Sequence, residues 1–429
     1  MRDIKLEQES LADRDKKHLW HPLTQHKVSP EMLPIAKAKS CILTDDKGNE
    51  YIDAISSWYT AVYGHCNSYI TSKVAAQMQN LDQVVFSGFT HEPAIKLSEA
   101  LVKILPEGQQ KLFFNDNGST ATEIGIKMAL QYHHNLGNDR KVMLAFEEGF
   151  HGDTFGAMSV SGLSVYNGAY EDHFIMVERI PVPTGDNNQD VIDQLKDIIA
   201  NQNIAGFIYE PLIQGAAAMK FHDAEGLNDI LKICRENDIV RVADEVMTGF
   251  GKTGRNFASD YIEEKPDVVC MSKALTAGLL PMGLTSCTQE IYDAFYSEDI
   301  AKGLFHGHTY TANPLACSAA LAAVELLVSE DIQENIKRIS NSNTEFAGKL
   351  AKNPRVKNAR SKGVIMAFEL DIETDRYGDI RNKLFQFFMS KGVFLRPLGN
   401  TIYIVPPYVI SEKELKKVYS VIEDSLTEF

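Results

Sequence analysis

Ile239-Val240-Arg241-Val242-Ala243-Asp244-Glu245 and, further on, Asp267-Val268-Val269-Cys270-Met271-Ser272-Lys273 decide how this chain is read. Each is a short, mostly apolar run that stops at an ionisable residue. Runs that are apolar at consecutive positions suit strands buried on both faces, the habit of parallel sheets. The acid and the lysine stand 273 − 244 = 29 residues apart, enough for one crossover helix between neighbouring parallel strands. Similar runs occur at 111–114, 142–146 and 205–209. Helix-patterned stretches occupy 92–105, 119–134, 190–200 and 225–236.

This alternation predicts an α/β fold whose mostly parallel sheet is covered by helices on both faces. Beyond Pro314 the pattern changes to one long helical stretch over about 315–350, short strands near 364–370 and 393–405, and a final helix near 411–427. These elements predict a second, smaller α+β domain. Strand-like pieces in the first 55 residues belong to no strand–helix–strand unit and are expected to join it. The expected division is therefore 1–55 with 325–429 for the smaller domain and 56–324 for the larger.

The composition excludes several classes. The chain has 429 residues, 44% hydrophobic and 24% charged, ordinary values for a globular protein. A net charge of −15 repels phosphate backbones, so nucleic acid is not an expected partner. The six cysteines are scattered with no C-x-x-C pair, which argues against a structural zinc site and a disulfide framework and suits a reducing cytoplasm. The N-terminal stretch is charged without a signal-like apolar region. No apolar run approaches the roughly 18 residues needed to span a bilayer. The expectation is a soluble, cytoplasmic protein.

In open α/β sheets, ligands bind beyond the carboxyl ends of the strands. After 111–114 comes Asn115-Asp116-Asn117-Gly118-Ser119-Thr120, a small-residue turn into a helix, which offers free N–H groups and a positive dipole end to a phosphate; an ordinary helix cap would look the same. After 142–146 comes Phe150, an aromatic that can stack on a flat ring or face the core. Asp244 follows the next strand, as a counter-ion for a cationic ring nitrogen or as a loop acid. Lys273 follows another, as an amine for an aldehyde or as a snorkelling surface lysine. Each sign is weak alone. Together they describe pyridoxal 5'-phosphate, whose aldehyde, phosphate and ring make those four demands.

Two lookalikes fail. Gly251-Lys252-Thr253 resembles the end of a phosphate-binding P-loop, but the required first glycine is Val246. His306-Gly307-His308, with His133, His134 and His151, has no carboxylate or cysteine at ligand spacing, so no metal is expected.

With Asp244 and Lys273 in place, the chain resembles the class III (fold type I) aminotransferases from His18 to Pro407. The resemblance is carried by DNGSTATEIGIKMALQYH at 116–133, FHGDTFGAMS at 150–159, EPLIQGAA at 210–217, ADEVMTGFGKTG at 243–254, SKALTAG at 272–278 and HGHTYTANPLAC at 306–317. Within that class it is similar to the branch that makes 7,8-diaminononanoate for biotin, on HLWHP (18–22), ISSWY (55–59), LRPLG (395–399) and the run Gln214-Gly215-Ala216-Ala217-Ala218, where the ornithine- and 4-aminobutyrate-type members have Q-G-E-G.

The resemblance implies that Lys273 forms the Schiff base, Asp244 partners the pyridinium nitrogen, Gly118 and Ser119 hold the phosphate and Phe150 stacks on the ring. It further implies a homodimer in which His308 and Thr309 reach the phosphate of the neighbouring subunit. Leu23, Trp58, Phe150, Gly307 and Arg396 would line the substrate site, Arg396 gripping the carboxylate of 8-amino-7-oxononanoate. S-adenosylmethionine is the expected amino donor. Leu23 and Phe150 stand where the branch usually has tyrosine, and His308 where it often has proline, which leaves lysine open as an alternative donor. Another ω-amino-acid aminotransferase, or a pyridoxal-phosphate mutase or racemase, are the rival readings.

Overall fold

The computed structural model describes residues 9–162, 167–372, 374 and 378–429. Its centre is a seven-stranded sheet built from β4 (Gln109–Asn115), β5 (Val142–Phe146), β6 (Val177–Ile180), β7 (Ile204–Tyr209), β10 (Val240–Asp244), β11 (Val268–Met271) and β12 (Gly283–Thr288), in the order β4-β12-β11-β10-β7-β5-β6. β11, β10, β7, β5 and β6 pair in parallel, and β12 alone runs against both of its neighbours. The sheet is thus mostly parallel, as expected.

Its central strands β5 and β7 are buried at every position and nearly apolar because both faces are covered. Val142, Leu144 and Phe146 of β5 enter one buried cluster, while Met143 and Ala145 enter a second on the opposite face. The helix Gly118–Asn135 closes the second face. Gly125 lets it approach: a Cβ there would sit 2.8 Å from Cys270 Sγ and 2.9 Å from Val242 Cγ1.

The remaining sheets are smaller. β1 (Ile35–Lys39), β2 (Ile42–Asp45) and β3 (Glu50–Asp53) form antiparallel pairs, and β3 continues in parallel to β15 (Val393–Phe394). β13 (Val356–Lys362), β14 (Ile365–Leu370) and β16 (Thr401–Ile404) make an antiparallel trio, and β8 (Ile213–Gln214) pairs with β9 (Lys220–Phe221). No helix among the described residues is long and apolar enough to cross a membrane.

Two expectations need correction. The long helical stretch over 315–350 is two helices, Pro314–Leu327 and Glu330–Leu350, parted where Ser329 turns extended. The crossover between β10 and β11 holds a 3₁₀ turn, Ala258–Tyr261, and no α-helix. Glu245 takes over the organising role there. Its buried carboxylate accepts from the Thr248 hydroxyl, the N–H groups of Ala258 and Ser259 and the Ser259 hydroxyl, so an irregular segment is satisfied from within.

One turn departs from ordinary backbone. Ser56, Ser57, Trp58 and Tyr59 have φ of 50, 44, 69 and 71°. A left-handed non-glycine residue costs roughly 1–2 kcal/mol, so four in a row persist only where the surroundings over-determine them.

Candidate active site

Strand register brings the site together. Ala243 pairs with Tyr209 and Asp244 with Cys270, so Glu210 lies level with Asp244, and Lys273 lies three residues past Asp244's partner. β5 delivers Phe150 and His151 to the same end of the sheet.

Asp244 is buried, and both of its oxygens are engaged. Val246 N–H donates to Oδ1 (3.0 Å), and His151 Nδ1 stands 2.7 Å from Oδ2. A carboxylate fixed from two sides presents a set orientation. His151 is itself buried, and its Nε2 has no hydrogen-bond partner.

Lys273 opens a 3₁₀ turn in the left-handed region at φ 49°, with its Nζ 5.3 Å from the centre of the Tyr59 ring. Burial pushes its ammonium pKa down, and the carboxylates of Asp244 and Glu210 oppose that shift. Lys252, fully buried, lies at the same end beside the half-buried Lys273. Its Nζ donates to Gly249 O (2.7 Å), and burial, helped by Lys273, lowers its pKa to about 7.

Glu210, the first residue of EPLIQGAA at 210–217, carries no signal of a role in the sequence alone. It accepts from Phe150 N–H (3.3 Å) and Gly215 N–H (3.1 Å), joining the aromatic loop to the β8–β9 hairpin. Burial raises its pKa from 4.5 to about 7; His151 lowers it, Asp244 raises it, and the two N–H bonds lower it. Between those values the folded chain keeps a proton that the unfolded chain has released, so this group makes stability fall as pH rises. Glu210→Gln removes that slope. Its stability relative to the parent is expected to rise by roughly 1.4 kcal/mol per pH unit across the window, measured by urea unfolding of both proteins. A constant difference would contradict the assignment.

The turn into the helix at Gly118 is built as specifically. Asn117 caps the helix by accepting from Thr120 N–H (2.9 Å), and the N–H groups of Gly118 and Ser119 have no acceptor within the helix. Ser119 Oγ lies 2.8 Å from Thr154 Oγ1 and accepts from Thr154 N–H (2.9 Å). The chain can close this tightly because residue 152 is glycine at φ 129°, where a Cβ would fall 2.3 Å from Ser119 Oγ.

Phe150 is half-exposed beside this group. Trp58, on the left-handed turn, lies under Arg396, whose guanidinium carbon is 4.9 Å from the ring centre. Leu23 is exposed, in the left-handed region at φ 50°. Gly307, His308 and Thr309 form a separate feature. Thr309 O accepts from Gln83, and the His308 backbone binds Thr311. Among the described residues no bond joins them to Lys273, Asp244 or Ser119.

These side chains fit pyridoxal phosphate. A buried amine with lowered pKa suits its aldehyde, an oriented buried carboxylate its ring nitrogen, and a helix N-terminus its phosphate. No group of three or more His, Cys, Asp or Glu able to hold a metal is found among the described residues.

Known proteins agree with this geometry. An adenosylmethionine-8-amino-7-oxononanoate aminotransferase of Synechococcus elongatus is 41% identical over 96% of this chain and 99% of its own. The enzyme of that name from Helicobacter pylori is 35% identical over 98% of each. Among solved structures, the one of that name from Methanocaldococcus jannaschii superposes with a TM-score of 0.92 at 33% identity, covering 97% of this chain and 98% of its own. An amine transaminase from an uncultivated Pseudomonas species, solved with pyridoxal phosphate bound, gives 0.88 at 28% identity over 96% of this chain and 98% of its own. Residues 23–426 match the aminotransferase class-III family. The chain therefore belongs to the class III aminotransferases, enzymes that work with pyridoxal phosphate.

Proposed function

We propose that this chain transfers an amino group to 8-amino-7-oxononanoate, forming 7,8-diaminononanoate, with S-adenosylmethionine as donor. The observation that carries the reading is the convergence of the buried Lys273 amine and the Asp244–His151 pair at one sheet end. The substrates follow from full-length relatives whose names specify them.

Pyridoxal phosphate, when bound, supplies an aldehyde that takes up amino groups and a ring that draws electrons as a neighbouring carbon loses its proton. Lys273 Nζ would be the amine that holds that aldehyde. With its pKa lowered by burial, the Lys273 amine would also be suited to accept a proton from a substrate carbon held beside it and to return it nearby. Asp244 would hold positive charge on the ring nitrogen, with His151 Nδ1 fixing the carboxylate at 2.7 Å. Gly118 and Ser119 would hold the phosphate through their N–H groups. Phe150, positioned through its own N–H on Glu210, would cover one face of the ring.

Arg396 takes the acceptor's terminal carboxylate, because a guanidinium meets a carboxylate with two parallel bonds. Trp58 beneath it excludes water along the aliphatic chain. Arg396→Lys should raise KM for the acceptor by about tenfold while kcat changes little, since a point charge cannot reproduce the fork. Equal loss in both parameters would move Arg396 away from ground-state binding.

Three further assignments belong to the same reading. Gly307, His308 and Thr309 would complete the site of a second copy in a homodimer; exposed Phe305 and Tyr310 beside them support a buried contact there. Residues 1–55 and 325–429 would form one smaller domain around 56–324, supported by the pairing of β3 with β15. A cytoplasmic location suits the six free thiols.

The test is purified enzyme with 8-amino-7-oxononanoate and either S-adenosylmethionine or lysine, following diaminononanoate. Product with S-adenosylmethionine is expected. Product with lysine alone would replace the donor, and none with either would overturn the substrate assignment.

A further inference from the structure

The left-handed turn at Ser56–Tyr59 contains no glycine or asparagine, the residues that tolerate this conformation best. Its hold must come from contacts, and each of its four side chains makes one. Ser56 donates to Val405 O (2.7 Å), Trp58 lies under Arg396, and the Tyr59 hydroxyl donates to that of Tyr403 (3.1 Å) while its ring faces Lys273. Ser57 has a different kind of partner. Its hydroxyl donates to Asp53 Oδ2 (2.7 Å), and His65 Nε2 lies 2.8 Å from that same oxygen and 3.3 Å from the hydroxyl.

Asp53 is fully buried, and its other oxygen accepts from Ile55 N–H (3.2 Å), immediately before the turn. His65 is anchored in turn. Its backbone exchanges two hydrogen bonds with Ser40, at 3.0 and 2.8 Å. Asp53 thus bridges the entry of the turn, its second residue and a rigid point on the neighbouring strand connection.

We propose that Asp53, Ser57 and His65 form a lock that keeps this turn left-handed, and that Asp53 and His65 are positioning residues for the amino-transfer site. A right-handed turn over the same four residues would fan their side chains in the opposite sense. Trp58 could not then stay under Arg396 while Tyr59 stays against Lys273. The lock therefore sets the substrate wall and the floor beneath the reactive amine together, without touching either reactant. Its relevance to turnover rests on the function proposed above; its effect on Trp58 does not.

The chain has two tryptophans, Trp20 and Trp58, and Trp20 is 91% exposed. In a Trp20→Phe background, acrylamide quenching of the holoenzyme reports on Trp58 alone. Asp53→Asn and His65→Ala are expected to raise the quenching constant and to raise acceptor KM about tenfold, more than they lower kcat, because a misplaced wall weakens binding first. Two substitutions at Ser57 separate the lock from general loss of packing. Ser57→Ala removes the hydroxyl and keeps the strain, whereas Ser57→Gly removes both. Glycine should restore much of the parental quenching that alanine loses. Parental quenching and KM in both Asp53→Asn and His65→Ala would overturn the proposal. So would equal behaviour of the two Ser57 variants, which remain decisive if an Asp53 variant does not fold. If no acceptor assay yields product, the substrate reading fails, while the quenching series still tests the lock.

Discussion

Replacing Lys273 with alanine should abolish amino transfer, lowering kcat by at least about 10⁴-fold, because the chain loses its cofactor-linking nucleophile and its proton carrier together. The protein itself should survive. Lys273 is a buried amine whose charge is opposed by burial, so its removal relieves a desolvation cost. The cradle at Gly118 and Ser119 and the Asp244–His151 pair do not depend on it for a hydrogen bond. The variant should therefore bind pyridoxal phosphate non-covalently, with the absorbance of a free aldehyde, and melt no lower than the parent. Steady-state diaminononanoate formation and the cofactor spectrum check both parts. Retention of more than a few per cent of the activity would remove Lys273 from the chemistry.

The second large effect is expected at Asp244. Asp244→Asn keeps the shape and the Val246 N–H contact but removes the charge that faces the ring nitrogen. Stabilisation of developing charge in a water-poor site is worth about 3–4 kcal/mol per preorganised group, or roughly 10²–10³ in kcat. The loss should fall on kcat with KM little changed, since the interaction matters most as electrons move into the ring. His151 gives the discriminating control. Its ring touches Asp244 and, among the described residues, makes no other hydrogen bond, so His151→Ala should cost less than Asp244→Asn, and the double variant little more than Asp244→Asn alone. Additive losses would mean that His151 acts independently.

Much of the central architecture could be read from the chain, for a physical reason. Strands buried on both faces favour apolar residues at consecutive positions, so 142–146 and 205–209 stand out, and their ends point to the candidate site. The same logic hid β12. Gly283–Thr288 carries threonine and serine, whose hydroxyls are satisfied internally: Thr285 donates to Ala121 O and Ser286 to Gln109 Oε1. The strand is buried without being apolar. β6, with Glu178 and Arg179, was hidden in the same way at the edge.

Lys273 and Asp244 were legible because a charge at the end of a buried run has few bland explanations. His151 and Glu210 were not, since their meaning lies in partners 93 and 60 residues away. The left-handed turn left no sign at all. Ser-Ser-Trp-Tyr contains none of the residues that announce positive φ, because distant contacts hold it and local propensity does not.

Reduction of the holoenzyme with borohydride, followed by peptide mapping, tests the central claim most directly. Lys273 and Lys252 are the two lysines at this end of the sheet whose pKa burial lowers, and Lys252 already spends its amine on Gly249 O. The pyridoxyl group should be recovered on the peptide bearing Lys273, at about one per chain. Recovery on Lys252, or no covalent label despite full cofactor loading, would contradict the account.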